Sequence, residues 1–71
     1  MAWNPSPEVA LARDLAAKLD ADQVMIITIN YAKEQMGLIT YGKTKKLCAE
    51  AKQLGDAAYE AARDRFEEVL A

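Results

Sequence analysis

The chain has 71 residues, of which 52% are hydrophobic and 28% are charged, and its formal net charge is −2. A chain of this length forms one domain and buries only ~60% of its unfolded surface, so its core is marginal. Small domains compensate with disulfides, bound metals or oligomerisation. One cysteine and no histidine exclude an internal disulfide and argue against a zinc site. We therefore expect a homo-oligomer.

The acidic balance disfavours nucleic acid as a partner, because general nucleic-acid binders are usually strongly basic. No apolar run approaches the ~20 residues that span a bilayer, so no membrane association is expected. The opening MAWNPSPE lacks the basic and apolar regions of a secretory signal. These features predict a cytoplasmic protein.

A first helix is predicted over residues 7–19, after an N-terminal arm of residues 1–6. Ser6 suits the N-cap, and Pro7 suits the first helical position, where its missing N–H costs nothing. Leucines recur at four-residue spacing with alanines beside them, which indicates one apolar stripe. The alanines imply close packing onto a flat partner, namely a sheet. The stripe consists of Leu11, Ala12, Leu15, Ala16 and Leu19.

Two β-branched, apolar segments predict strands over residues 23–31 and 36–41, joined as an antiparallel hairpin. Alternation divides the first strand into two faces. The apolar face, which we expect beneath both helices, carries Met25, Ile27, Ile29 and Tyr31. The other face is apolar at one end and polar at the other, as suits a subunit contact or a polar site, and carries Val24, Ile26, Thr28 and Asn30.

A second helix is predicted over residues 44–70, and the pattern leaves open whether Gly55 breaks it. Such a helix runs ~40 Å, whereas strands of six to nine residues span ~20–30 Å. A two-stranded hairpin is also marginal alone. The fold class is therefore α+β, in the order α-β-β-α, with a two-stranded antiparallel hairpin and a long C-terminal helix, completed by homo-oligomerisation.

The opening NPSPEVA and the later YGKTKKLC with its alanine-rich helix resemble small proteins of Mu-like transposable phages and prophages. The resemblance covers nearly the whole chain and carries over no functional residues. It implies a small phage product in a bacterial host cytoplasm. Such products often act by binding, either by blocking a host enzyme or by sequestering a nucleotide signal of host defence.

The segment YGKTKK places lysines where the second helix begins, an end that the helix dipole already makes positive. One interpretation is a phosphate site, since free N–H groups at a helix start bind anions. The candidate ligand-binding residues are Asn30, Tyr31, Tyr41, Gly42, Lys43, Thr44, Lys45 and Lys46. GLITYGKT formally fits the P-loop pattern, but its middle reads as strand, so ATPase activity is not expected.

The other interpretation is structural. Asp64, Glu67 and Glu68 lie near the opposite end of the same helix, so two such helices packed antiparallel would pair lysines with carboxylates. The lysines can be divided between the two roles.

We therefore expect a non-enzymatic homo-oligomer that captures a phosphate-bearing small ligand without a cofactor. The alternative is an inhibitor or adaptor of a host protein, whose exposed apolar patch includes part of the Val24 and Ile26 face or the Phe66 end. A DNA accessory role is the least favoured. No residues combine into a catalytic or metal site, and Cys48 is expected to be a small buried side chain.

Overall fold

The structure, a computed structural model, describes residues 7–71. Helix α1 (Pro7–Leu19) is followed by strand β1 (Gln23–Asn30), strand β2 (Gln35–Gly42) and helix α2 (Lys45–Leu70). The predicted α-β-β-α order is confirmed. The predicted arm, with Ser6, lies outside the described residues. Among the described helices, none is long and apolar enough to cross a membrane.

The two strands form an antiparallel hairpin in which Val24 pairs with Tyr41 and Asn30 pairs with Gln35. β1 ends one residue earlier than the sequence indicates, and β2 is one residue longer at each end. The connection at residues 31–34 is a tight turn. The Glu34 N–H donates to the Tyr31 carbonyl at 3.2 Å, and Glu34 adopts a positive φ of 54°.

The helices cover opposite faces of the hairpin, which corrects the prediction that both lie on the Met25 face. α1 packs on the face of Val24, whose core also includes Ile26, Ile39 and Tyr41. α2 packs on the Met25 face, mainly over β2. Within residues 7–71 no Cα of α1 lies within 8 Å of a Cα of α2. The hairpin is thus the middle of three layers.

Helix α1 presents its alanines, not its leucines, to the sheet. Ala12 and Ala16 are buried, whereas Leu11 is 63% and Leu19 is 66% exposed. Small side chains let the helix backbone approach the strands closely, and this contact rotates the leucines away from the sheet. The predicted packing of the alanines on the sheet is confirmed, whereas the leucines of the predicted stripe remain exposed among residues 7–71.

Helix α2 continues through Gly55 without a break. Gly55 is buried where the helix crosses β2, and a Cβ there would lie 2.7 Å from the Thr40 methyl carbon. Glycine at this point permits the close approach of helix and strand. Ala51 and Phe66 are buried along the same face of the helix.

Candidate functional site

The junction of β2 and α2 brings residues 42–46 together at one end of the sheet. The Lys43 N–H donates to the Asp22 carbonyl at 3.1 Å, so the chain leaves β2 while still paired with the residue before β1. A Cβ at Gly42 would overlap the backbone of Leu47 and Cys48. Only glycine allows the first turn of α2 to fold back so closely over the strand end.

Thr44 is the N-cap of α2. Its backbone is extended, and its hydroxyl oxygen accepts a hydrogen bond of 3.1 Å from the Leu47 N–H. The Cys48 N–H donates to the Thr44 carbonyl. In the described chain the N–H groups of Lys45 and Lys46 have no partner. Two backbone donors at the positive end of a 26-residue helix thus face solvent.

The lysines at this junction have different surroundings. The Lys43 ammonium lies 3.6 Å from the Asp22 carboxylate, and both side chains are at least half exposed. Lys45 and Lys46 are exposed, make no ion pair in residues 7–71, and have no acidic neighbour in the first helical turn. The positive charge that is free to meet an anion therefore belongs to Lys45 and Lys46.

The structure does not bring all eight candidate residues together in one chain. Asn30 and Tyr31 lie at the hairpin turn, a strand length or roughly 25 Å from Gly42. There the Asn30 side-chain oxygen accepts from the Lys33 N–H, and the Tyr31 ring stacks on Phe66 with centroids 5.4 Å apart. Tyr41 adjoins Gly42 in sequence but packs on the opposite face, beneath α1. A site within one chain is thus limited to residues 42–46.

The sequence analysis did not identify two residues that lie at the junction of β2 and α2, namely Asp22 and Gln23. The Gln23 side-chain amide donates to the Leu47 carbonyl at 2.9 Å, which ties β1 to the first turn of α2. Asp22 holds Lys43 through both its backbone and its side chain. The hairpin register was the available signal, because it places residues 22 and 23 opposite residues 43 and 42.

Cys48 and the acidic side chains are the remaining groups that the sequence analysis considered for chemistry. Cys48 is exposed, contrary to the expectation of a buried thiol, and the described chain has no histidine to activate it. No group of three His, Cys, Asp or Glu side chains within residues 7–71 is arranged to hold a metal ion. The junction offers backbone donors and ammonium groups, which suit an anion.

Replacing Thr44 with alanine removes the side-chain cap of α2 and leaves the Leu47 N–H without its partner. We expect the variant Thr44→Ala to lose ~1 kcal/mol of unfolding free energy, the usual cost of losing an N-cap. Urea unfolding followed by circular dichroism measures the loss. Thr44→Ser, which keeps the hydroxyl, is the control and should unfold close to the wild type; equal losses in both variants would contradict the capping role.

Comparison with models of known protein families, with curated proteins and with solved structures gave no significant match.

Proposed function

We propose that this chain is a non-enzymatic binding protein that captures a phosphate-bearing small ligand at the junction of β2 and α2. The observation that supports it is the pair of unpartnered N–H groups of Lys45 and Lys46 beside their own exposed ammonium groups. Backbone donors at a helix start fix the position of an anion, and lysines add charge.

In this proposal Lys43 can supply a third ammonium group to the anion if it leaves its ion pair with Asp22. Its ammonium is 3.6 Å from the Asp22 carboxylate. Such an exposed ion pair contributes only ~0–1 kcal/mol, so a phosphate oxygen can readily replace the carboxylate. The Thr44 hydroxyl oxygen is engaged as an acceptor from Leu47, but its proton remains available to donate. The resemblance to Mu-like phage proteins adds a setting in which the ligand is a nucleotide signal of host defence.

A thermal-shift screen against mono-, di- and cyclic nucleotides and inorganic phosphate tests the proposal. A ligand at one hundred times its dissociation constant adds ~2.7 kcal/mol, which raises the Tm of a small domain by several degrees. We expect the variant Lys45→Ala/Lys46→Ala to lose the shift.

The matched control is Lys33→Ala/Lys52→Ala, which removes the same charge from exposed positions away from the junction. If the control variant loses the thermal shift equally, the shift depends on net charge, and the assignment of the ligand to residues 42–46 is wrong. A positive shift that only the junction variant loses assigns the ligand to residues 42–46.

A second candidate is an inhibitor or adaptor of a host protein. Val24 is buried and Ile26 half-buried beneath α1, so that part of the expected patch is covered. At the Phe66 end, however, Val69 is 58% and Leu70 is 39% exposed. The same screen separates the candidates: no shift with any nucleotide or phosphate, together with a junction variant that dissociates into monomers, would favour the second.

A further inference from the structure

We propose that a second copy of this chain docks on the β1 side of the molecule, where the two sheets join edge to edge and the helices pack across a two-fold axis. The β1 side comprises the open edge of β1 and the flanks of α1 and α2 next to it. The interface forms whether or not a ligand binds at the junction.

The edge of β1 is open and ready to pair. In an antiparallel ladder, alternate residues exchange backbone hydrogen bonds with the neighbouring strand. The bond from Lys43 to Asp22, in the register of the hairpin, assigns Val24, Ile26 and Thr28 to the β2 side. The backbone groups of Met25, Ile27 and Ile29 therefore point to the free edge. β1 has no proline and no charged residue, the usual protections against edge pairing.

A largely apolar flank of α2 lies beside this edge, with Arg65 as its charged member. Leu54, Ala58 and Ala61 are at roughly 60–120° around the helix from Gly55, which faces β2. Leu47 is on the same flank, and its carbonyl accepts from Gln23 of β1, so the flank faces β1. Beneath it, Met25 and Ile29 of the strand are 38% and 44% exposed.

The leucines of α1 lie on the same side of the molecule, across the sheet. α1 runs antiparallel to β1 over the Val24 face, and the handedness of L-residue strands and right-handed helices then directs its leucine flank toward β1. Leu11, Leu15 and Leu19 form this flank, with Leu15 at 38% exposure. Both helices therefore leave their unpacked apolar surface next to the open edge of β1 rather than the open edge of β2.

The β2 side is unsuited to the same contact. The α2 flank on that side carries charge at four positions, namely Lys52, Asp56, Arg63 and Glu67. Because α2 lies mainly over β2, pairing two β2 edges would also bring two α2 axes to little more than a strand spacing of ~5 Å. Packed helices need 8–10 Å. Pairing of β1 with β1 puts the two β2 strands three strand spacings, or ~15 Å, apart. Because α2 also contacts β1, the two α2 axes lie closer together than this and have room to pack.

The two-fold axis of the proposed dimer lies between the two β1 strands and is perpendicular to the sheet. It makes the two α2 helices antiparallel on the same face, and their charges are then complementary. Lys45 and Lys46 begin a helix whose last two turns carry Asp64, Glu67 and Glu68. The end of one helix then lies near the start of the other, so Lys46 comes close to Glu68 of the second copy. Within its own chain Glu68 accepts a hydrogen bond of 3.1 Å from Arg65, an exposed pair that Lys46 would join. The same symmetry brings Tyr31 and Asn30 of the second copy to the end of the sheet that carries residues 42–46.

Amide hydrogen exchange read residue by residue tests the interface. In the dimer, the N–H groups of Met25, Ile27 and Ile29 are protected like those of Val24, Ile26 and Thr28, and exchange about tenfold or more slowly than the outward N–H groups of β2. The outward groups of β2, on Met36, Leu38 and Thr40, are the internal control. Fast exchange on the outer edge of β1, protection of the outer edge of β2 instead, or a monomer by sedimentation would each overturn the proposal.

The variant Leu54→Glu gives an independent check, because it puts a carboxylate into the proposed contact from a position that is half exposed in the single chain. We expect the dimer dissociation constant to rise on the order of 100-fold or more, with protection lost at Met25, Ile27 and Ile29 only. Leu70→Glu, the same change on the other flank, should leave the dimer intact. Equal weakening by both variants would contradict the assigned surface.

Discussion

Replacing Gly42 with alanine should lower the free energy of unfolding by ~2–4 kcal/mol and loosen the start of α2. The new methyl group would overlap the backbone of Leu47 and Cys48, and a helix backbone cannot rotate aside as a side chain can. Relief requires the first turn to move, which adds the loss of the Thr44 cap, ~1 kcal/mol, to an overpacking cost of ~1–3 kcal/mol. Small domains have little stability in excess of such a loss.

Gly37→Ala is the matched control, because the same added methyl there meets only the Thr28 hydroxyl oxygen, at 2.7 Å. Thr28 is exposed, so its side chain can rotate away. Urea unfolding at one fixed protein concentration compares the variants, since the stability of the proposed dimer would depend on concentration. A loss for Gly42→Ala no larger than that for Gly37→Ala would contradict the close packing of the junction.

Local chemistry explains why the element order was predictable from the sequence. Proline near the start of α1, β-branched runs in both strands and a threonine cap before α2 each favour the conformation that the structure has. These preferences act within a few residues and need no knowledge of the tertiary contacts.

The rotation of the helices could not be read from the same pattern. In α1, leucines and alanines occupy adjacent positions, so periodicity alone does not decide which of them faces the sheet. The choice depends on how closely the helix approaches the strands, and alanine permits the closest contact. In α2 the buried line runs through Gly55, which a hydropathy pattern counts as a gap.

The eight residues of the predicted ligand site lie at different ends and faces of the hairpin for a related reason. Asn30 ends the strand that neighbours the lysine junction and Tyr31 follows it in the turn, but antiparallel pairing puts both at the end of the hairpin far from the junction. Tyr41 is only one residue from Gly42, yet a strand directs successive side chains to opposite faces. Strand polarity and alternation therefore limit a site within one chain to residues 42–46. The proposed dimer is the arrangement that would rejoin the two halves.

Large apolar side chains that the fold leaves exposed supply the contact surface of the proposed dimer. No large side chain in the described residues is fully buried, while Leu11, Leu19 and Leu54 are half exposed or more. A chain this short gains most by sharing its apolar surface with a copy of itself. The alanine surfaces pack within the chain, and in the proposed dimer the leucine surfaces pack against the second copy.

Replacing Phe66 with alanine should cost ~3 kcal/mol or more of unfolding free energy, because this side chain is the largest buried one among residues 7–71, at 7% exposure. Its ring stacks on Tyr31 at 5.4 Å with an interplanar angle of 22°, and this contact holds the last turns of α2 against the hairpin turn. Val69 and Leu70 beyond it are exposed and contribute little. We therefore expect faster amide exchange after residue 62, while the first turn of α2 keeps its protection.

The controls for Phe66 are Phe66→Leu, which keeps most of the apolar volume and should cost less, and Val69→Ala, which changes a side chain that is 58% exposed and should cost about 0.5 kcal/mol or less. Urea unfolding and residue-resolved exchange measure both effects on the same samples. If Phe66→Ala cost no more than Val69→Ala, the ring would not be packed as described. If protection fell equally along all of α2, the helix would be held as one unit and not anchored separately at the Tyr31 end.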